Sequence, residues 1–470
     1  MMPSFGLAEE LQTIEAALAS KPEDIPLRVR RAATLDALGR TEAAKLAYIE
    51  TLRSDPTNAE ALNNLGTLLF NSGYRSAARL TYQELIKHHP QHVMGLVNLA
   101  NAEFEAGHLD VAAALYEVAI AIEPDTALAH QGLSYVHARL GNHEAAEAHR
   151  EIGFRLAPVL LSPYRGNGVP VGVLLLLAPQ RANIATDLIL DDTTFLVAKV
   201  FPEYYDEALP LPPHDVVFNA IGDAELSGKA LQAAERMVKS SGAHVINAPE
   251  SVRHSSRLEI AARLRGIEGI VAPRIELVAR ENVERLRMTM PFLLRTPGFH
   301  TGEHFERIDS SESLAAALRD LPGNELLAIE FLDARAADGA ARKYRVLFID
   351  GVPYPLHLAR STHWKVHYYT ADLVLEPEAV AEEERFLTDM PGALGTRAMR
   401  ALEAVRDELR LEYFGVDFAL DRDGSVLLFE ANATMKVVPP AARDASTVRH
   451  AAAKAALAAS RALVLRRAKG

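Results

Sequence analysis

Residues 59–90 read AEALNNLGTLLFNSGYRSAARLTYQELIKHHP, and the pattern of this stretch recurs through the first third of the chain at a step of 34 residues. Glycine, alanine and proline keep that step through four units, as Gly39, Gly73, Gly107 and Gly141; Ala44, Ala78, Ala112 and Ala146; and Pro56, Pro90, Pro124 and Pro158. Tyr48, Tyr82 and Tyr116 follow the same step until Arg150 breaks the series. Each unit is predicted to be a helix, a turn at the glycine, a second helix and a proline stop. The period predicts stacked helix pairs.

The repeated unit resembles the tetratricopeptide (TPR) repeat. This resemblance implies an α-solenoid over residues 1–158, with four 34-residue repeats preceded by a half-repeat cap at residues 7–21. The first helices of the repeats would line a groove that binds a peptide or protein substrate. Asn64 and Asn98 lie one repeat apart and resemble the asparagine ladders of peptide-binding arrays, because amide side chains both donate and accept hydrogen bonds. The alternative is an array that serves only as a scaffold.

Composition narrows the class of protein. With 470 residues the chain can hold two or three cores, and without cysteine it has no disulfide, thiolate metal site or cysteine nucleophile. A net charge of −12 argues against a nucleic-acid partner. The longest apolar run is too short to span a membrane, and no basic segment followed by an apolar run begins the chain. We therefore expect a cytoplasmic protein with no membrane partner.

Beyond the repeats, a turn-rich linker at residues 159–169 leads into a region where strands and helices alternate. Strands are predicted at Val171–Ala178, His214–Ile221 and His244–Pro249, with a helix at about residues 225–240. Such alternation favours a parallel sheet. We assign residues 170–250 to an α/β subdomain.

From about residue 285 the pattern becomes that of antiparallel strands. Two-residue hairpin turns are predicted at Asp350-Gly351 and Asp423-Gly424, because Asp-Gly is a strong signal for such turns. Residues 446–470 are rich in alanine and basic residues, and we expect a closing helix or a basic tail.

The segment YFGVDFALDRDGSVLLFEAN, Tyr413–Asn432, carries the main candidate site. A turn at Asp423-Gly424 would pair Phe418 with Phe429 and Leu420 with Leu427 on an apolar side. On the other side Asp417 would face Glu430, and Asn432 would point the same way. Facing carboxylates repel unless a positive charge lies between them, and Mg²⁺ takes such oxygen ligands together with phosphate oxygens. The alternative is an exposed hairpin whose acids face each other by chance.

This hairpin resembles the magnesium-binding end of ATP-grasp enzymes, such as D-alanine–D-alanine ligases, glutathione synthetases and ligases that add glutamate to ribosomal proteins. The resemblance covers about residues 170–440. It implies an α+β ATP-grasp domain at residues 251–445, preceded by a pre-ATP-grasp subdomain, with ATP and Mg²⁺ as cofactors. Asp417, Glu430 and Asn432 would bind the metal.

Other segments fall where that family places nucleotide contacts. Arg257 and Arg295 stand where many relatives carry lysine, and they would hold phosphate. The loop from Gly298 to Gly302 would cover the phosphates with backbone N–H groups. Glu330 would lie near the nucleotide, at the end of the hinge strand.

The resemblance also implies the reaction. ATP would phosphorylate a carboxylate, and an amine would attack the acyl phosphate that Arg345 and Arg360 stabilise, with release of ADP and phosphate. Two alternatives stay open. One is a non-catalytic TPR adaptor with a nucleotide-binding domain, which the arginines and the glycine-poor loop favour. The other is a kinase of the same fold.

Overall fold

The computed structural model describes residues 4–179, 183–299, 303–366, 371, 376–440 and 446–469. The chain divides into two compact units. Unit 1 comprises Met1–Gly172 and Asp191–Pro210, and unit 2 comprises Val173–Leu190 and Leu211–Gly470. No helix of the described ranges is long and apolar enough to cross a membrane.

The elements are numbered in chain order. The helices are α1 (Ser4–Ser20), α2 (Ile25–Ala37), α3 (Thr41–Ser54), α4 (Ala59–Asn71), α5 (Arg75–His88), α6 (Val93–Glu105), α7 (Leu109–Ile122), α8 (Ala127–Arg139), α9 (His143–Leu156), α10 (Gly228–Val238), α11 (Pro249–Arg253), α12 (Arg257–Leu264), α13 (Ser311–Asp320), α14 (Pro377–Thr388), α15 (Met390–Leu409) and α16 (Thr447–Arg467). The strands are β1 (Val159–Leu161), β2 (Val171–Leu176), β3 (Phe195–Val200), β4 (Val216–Asn219), β5 (His244–Ile246), β6 (Ile270–Val271), β7 (Ile275–Ala279), β8 (Phe292–Arg295), β9 (Phe305–Ile308), β10 (Glu325–Glu330), β11 (Ala341–Ile349), β12 (Val352–Ser361), β13 (Tyr413–Leu420) and β14 (Val426–Asn432).

Unit 1 is a helical solenoid, as the period predicts. The helix pairs α2–α3, α4–α5, α6–α7 and α8–α9 each turn at a glycine with positive φ, a conformation that glycine adopts without a steric penalty. The repeated alanines and tyrosines are buried between the helices. A single helix, α1, precedes the pairs and adds Leu11 to the core of the first repeat.

The end of the solenoid is closed by the segment that follows it. Phe154 of α9 packs against Phe201 and Tyr204, with ring centroids 4.4 and 5.7 Å apart. Within residues 159–169, β1 pairs antiparallel with β3. Arg165 donates to the main-chain oxygen of Asp36 over 3.0 Å and forms an ion pair with Asp192 at 2.6 Å.

Unit 2 is a mixed α/β region with several sheets. In the first, β2, β4 and β5 are parallel, as the alternation of strands and helices predicts. The second is antiparallel in the order β7-β10-β8-β9, with α13 contributing Ala317 to its core. The third has the order β12-β11-β13-β14-β6 and is antiparallel except for the β14–β6 pair. The predicted turn at Asp350-Gly351 is confirmed, because Ile349 pairs with Val352. The C-terminal segment forms a helix, α16, which contacts β11 and β12.

Candidate functional site

The β13–β14 hairpin brings the two predicted acids together but not by the predicted register. Asp417 pairs with Glu430, and Gly415 pairs with Asn432. The predicted pairs of Phe418 with Phe429 and of Leu420 with Leu427 are wrong, since Phe418 pairs with Leu428 and Leu420 with Val426.

The loop of the hairpin explains this difference. The amide of Asp421 donates to the oxygen of Ser425 over 2.8 Å, so the connection is three residues long rather than two. Gly424 takes the left-handed conformation that such loops require, with φ of 79°. A bulge at Phe429 then restores the pairing of Asp417 with Glu430.

Asp417 is neutralised by two cations of the chain itself. Its carboxylate, only 3% exposed, accepts two hydrogen bonds from Arg345, at 2.6 and 2.7 Å, and forms an ion pair with Lys343 at 3.0 Å. Burial alone would raise the pKa of Asp417, but the charges of Arg345 and Lys343 outweigh burial and hold it well below its usual range. The repulsion that the sequence predicts between the two acids is therefore offset by side chains of the protein.

Glu430 is bound from the other side by Arg257, whose guanidinium donates to Glu430 Oε1 and, over 3.0 Å, to Glu225. Burial disfavours the charged form of Arg257, but Glu430 and Glu225 outweigh it and raise the pKa of this side chain. Asn432 donates to Glu430 over 2.7 Å, and its own oxygen accepts from the amide and hydroxyl of Thr434. Hydrogen bonds thus connect Arg257 to the carboxylates of Glu225 and Glu430, and through Glu430 to the amide of Asn432.

Arg295, at the end of β8, is a buried cation of a different kind. It is 8% exposed, it donates to the main-chain oxygen of Phe299, and its Nε has no hydrogen-bond partner among the described residues. Burial and the charge of Arg257 lower the pKa of Arg295 to about 10. No carboxylate of the described ranges lies within ion-pair distance of it, although Glu430, Glu225 and Asp223 partly offset its charge from further away. Its charge is retained at neutral pH at a cost in stability.

The donor set suits a hard cation. Asp417, Glu430 and Asn432 offer carboxylate and amide oxygens, which Mg²⁺ prefers together with water and phosphate oxygens. In the described parts of the chain, no group of three His, Cys, Asp or Glu side chains is placed to hold a metal ion. Three oxygen donors would leave the other ligand positions of such an ion to water or phosphate.

The structure does not bring Arg360 together with Arg345. Arg360 of β12 pairs with Arg342 of β11. Since Arg342 alternates with Lys343 and Arg345 along β11, both Arg342 and Arg360 lie on the opposite face of the sheet. There Arg360 forms an ion pair with Asp338 at 2.8 Å. The predicted shared role of Arg345 and Arg360 has no support in this geometry.

Of the other predicted nucleotide contacts, Glu330 lies at the exposed end of β10 and accepts a hydrogen bond from the amide of Arg274 over 2.9 Å. Gly298 has φ of 79°, and a Cβ there would lie 2.5 Å from the side chain of Leu226. Gly302 lies outside the described residues.

An aromatic group lies beside Arg295 and was not predicted from the sequence. The ring of Phe305 is 5.4 Å from the Arg295 guanidinium and 5.6 Å from the ring of Trp364. Trp364 also contacts Phe331, at 6.1 Å, and Lys365 donates to the main-chain oxygen of Phe305 over 3.1 Å. The ring of Trp364 therefore lies against β9, the strand that pairs with Arg295.

In unit 1, the predicted asparagines are linked through a third. Asn98 donates to Asn63 over 3.0 Å, and Asn63 donates to Asn64 over 3.3 Å. These residues lie on α4 and α6, the first helices of neighbouring repeats. The amide side chains thus form one row across two repeats.

The comparisons with known proteins concern unit 1. The tetratricopeptide repeat family profile matches residues 29–93, 67–125 and 97–149. Residues 29–149 are therefore tetratricopeptide repeats, a class of module that generally mediates protein–protein interaction.

Several solved structures are similar to part of the chain. MamA from Desulfovibrio magneticus RS-1, residues 41 to the end, is 18% identical with a TM-score of 0.30 and covers 32% of this chain and 85% of that one. A tetratricopeptide repeat protein from Parabacteroides merdae ATCC 43184 is 17% identical with a TM-score of 0.30, over 32% of this chain and 59% of that one. PilW, a type IV pilus biogenesis factor, is 20% identical with a TM-score of 0.30, over 33% and 71%. No curated protein matches the chain.

Proposed function

We propose that unit 2 is an ATP-grasp domain that binds Mg-ATP and uses it to join a carboxylate to an amine, with release of ADP and phosphate. One observation carries the proposal. The paired acids of one hairpin, Asp417 and Glu430, bind three cations, Arg257, Lys343 and Arg345. A fourth cation, Arg295, lies buried close to Arg257 without an ion-pair partner among the described residues. A buried cation of this kind is stabilised by an anion from outside the protein.

Charge favours a metal-bound polyphosphate over a free anion. Asp417 and Glu430 would repel a bare triphosphate, whereas the neighbouring cations would repel a bare metal ion. A complex of both supplies each group with a partner of opposite charge. Mg²⁺, when held by Asp417, Glu430 and Asn432, supplies neutralisation of the transferred phosphate.

The protein's own side chains bind the phosphates, orient the reactants and offer a surface for the nucleobase. Arg295 binds a phosphate oxygen through Nε and the rest of its guanidinium, since arginine holds phosphate in a bidentate fashion. Lys343 and Arg345 release Asp417 and bind the transferred phosphate and the carboxylate that receives it. In this way they orient the reactants in line. Phe305, Trp364 and Phe331 offer an apolar surface beside Arg295, against which a nucleobase can stack and from which water is excluded. Arg360 is left out, because it faces the other side of the sheet.

The tetratricopeptide repeats bear on the substrate. A small-molecule ligase has no need of such an array, so we take the substrate to be a peptide or protein held along the first helices of the repeats. We assign the reaction to the cytoplasm, where ATP and Mg²⁺ are supplied.

A second function, that of a nucleotide-binding adaptor without turnover, is favoured by one observation. Asp417 is already held by both Arg345 and Lys343, which would have to release it before a metal could bind. An adaptor would bind nucleotide without making that exchange.

Binding and turnover of nucleotide separate these functions. Calorimetry of the full chain with a non-hydrolysable ATP analogue and Mg²⁺ is expected to show binding well below about 1 mM, the upper end of common KM values. With a carboxylate substrate present, ADP release should be greater with hydroxylamine than without it, because hydroxylamine attacks the acyl phosphate and releases phosphate. Release that is independent of any amine indicates a kinase, and binding without ADP release indicates an adaptor. Absence of binding contradicts the proposal as a whole.

Recruitment by the repeats gives a second expectation. Asn64→Ala combined with Asn98→Ala should raise KM for a peptide or protein substrate and leave kcat nearly unchanged, because the loss of groove contacts lowers the local concentration of the tethered substrate. Steady-state kinetics of ADP release measure both constants.

The matched control for the groove is Gln12→Ala, an exposed amide on α1. It should change neither constant. A KM that is equal in the wild type and the Asn64/Asn98 variant would leave the array as a scaffold.

A further inference from the structure

The loop that follows β4 lies against the cluster around Glu430. Asp223 accepts hydrogen bonds from the amides of Glu225 and Leu226, over 2.7 and 2.9 Å, and is itself buried. These bonds form a tight turn and fix the backbone at Glu225. The direction of the Glu225 side chain is thereby set by the loop rather than by solvent.

The same loop is packed closely on both sides. A Cβ at Gly222 would lie 2.8 Å from the side chain of Thr434, whose hydroxyl donates a hydrogen bond to Asn432. On the other side, Leu226 occupies the space that a Cβ at Gly298 would need. The loop therefore lies between the end of β14 and the segment that follows Arg295.

Glu225 reaches Arg257 through two bonds. Its carboxylate accepts from the backbone amide of Arg257 over 3.3 Å and from the guanidinium over 3.0 Å. The other arm of the guanidinium binds Glu430. The side chains of Arg257 and Glu225 are 10% and 16% exposed, so the pair is largely shielded from water.

We infer that Glu225 is a positioning residue that retains Arg257 when Glu430 is taken over by a metal ion. This inference rests on the proposed function. A metal ion that binds Glu430 through Oε1 displaces the guanidinium from that oxygen, and a shielded arginine left without a carboxylate carries a large penalty. Because Glu225 holds the other arm, Arg257 keeps a partner and Glu430 is released at a small cost. Glu225 thus raises the metal affinity of the site without binding the metal.

Mg²⁺ dependence of nucleotide binding tests this role. Calorimetric titration of the full chain with a non-hydrolysable ATP analogue at graded Mg²⁺ gives the Mg²⁺ concentration for half-saturation. Glu225→Gln is expected to raise that concentration about tenfold, as the loss of one charge-assisted hydrogen bond predicts. Glu225→Asp, which keeps the charge with a shorter reach, should raise it less.

A double-mutant comparison shows whether Glu225 acts through Arg257. In an Arg257→Gln background, Glu225→Gln should no longer change the Mg²⁺ requirement, because there is no guanidinium to retain. An equal shift in both backgrounds would mean that Glu225 contacts the metal or nucleotide directly, which overturns the inference.

Glu235→Gln is the matched control. Glu235 also forms an ion pair with an arginine, Arg253, at 2.5 Å, and its removal should leave the Mg²⁺ requirement unchanged. A wild-type chain that binds the analogue while Glu225→Gln needs no more Mg²⁺ refutes the inference and leaves the proposed function standing. A wild-type chain that binds no analogue refutes both. Melting curves confirm that each variant is folded, and an unfolded Glu225→Gln makes Glu225→Asp the deciding variant.

Discussion

Asp417→Asn is expected to destabilise unit 2 by about 3–5 kcal/mol, the usual cost of removing one partner from a buried ion pair. The carboxylate is 3% exposed and neutralises both Arg345 and Lys343. An amide of the same size cannot balance two cations, so both would be left close together in a largely shielded site. Urea unfolding of the wild type and the variant measures the difference.

The pH dependence of this effect has a definite sign. The pKa of Asp417 is lowered in the folded protein, so its stabilising contribution is fully present above the ordinary aspartate pKa of about 3.9. The contribution is lost as the pH falls through the lower pKa of the folded state. The difference between wild type and Asp417→Asn should therefore be constant from neutral pH to about pH 4 and shrink in stronger acid.

Asp421→Asn is the control, since Asp421 lies four residues further along the same hairpin but is exposed. It should change stability by less than about 0.5 kcal/mol, as is usual for surface substitutions. If Asp417→Asn were as stable as the wild type, Asp417 would not be the counter-ion of Arg345 and Lys343, and the charge balance of the site would need another explanation.

The predicted pairing of the two acids is confirmed, but only because a longer loop and a bulge compensate each other at that pair. Alternation along Tyr413–Asn432 determines which residues share a face, and the pairing of Asp417 with Glu430 is confirmed. The apolar pairs could not be predicted, because they depend on a three-residue loop and a bulge at Phe429 whose shifts in register cancel only at the acids.

Arg360 shows how one bulge changes the composition of a site. From the turn at Asp350-Gly351 to the pair of Val346 with Pro355, β11 and β12 keep one register. Beyond it the register shifts by one, so that Arg345 pairs with His357 and Arg342 with Arg360. Without that shift, Arg360 would share a face with Lys343 and Arg345. The extra residue of β12 is Leu356, which follows Pro355, and the missing N–H of proline permits a bulge there but does not require one.

Glu225 and the aromatic group around Phe305 could not be predicted for a different reason. Glu225 precedes Glu430 by about two hundred residues, and the two meet through Arg257 only after three separate elements have packed. Phe305, Phe331 and Trp364 come from β9, the residue after β10 and the segment after β12. Local periodicity carries no information on such contacts, whereas it does determine the tetratricopeptide repeats, whose contacts lie between neighbours in sequence.

Arg295→Met is expected to make the free protein more stable and its nucleotide binding weaker. The pKa of Arg295 is lowered to about 10, below the value of 12.5 for a free arginine, so the charged side chain destabilises the fold at every pH below about 10. Stability rises with pH only as the pH passes from about 10 towards 12.5. At neutral pH a methionine of similar size removes the buried charge and should raise the free energy of unfolding by up to about 3 kcal/mol.

The same substitution should weaken binding of the Mg²⁺ complex of a non-hydrolysable ATP analogue by about 1.5–3 kcal/mol, the worth of a hydrogen bond to a charged group. Urea unfolding and calorimetry on one pair of proteins measure both effects. Arg342→Met is the matched control, because Arg342 is similarly shielded but forms ion pairs with Asp338 and Glu382, at 2.8 and 2.6 Å. Its loss should destabilise the protein, so the two arginines give stability changes of opposite sign. If removal of Arg295 stabilises the free protein and weakens nucleotide binding, the cation is retained for its ligand. A loss of stability would instead make Arg295 a structural residue.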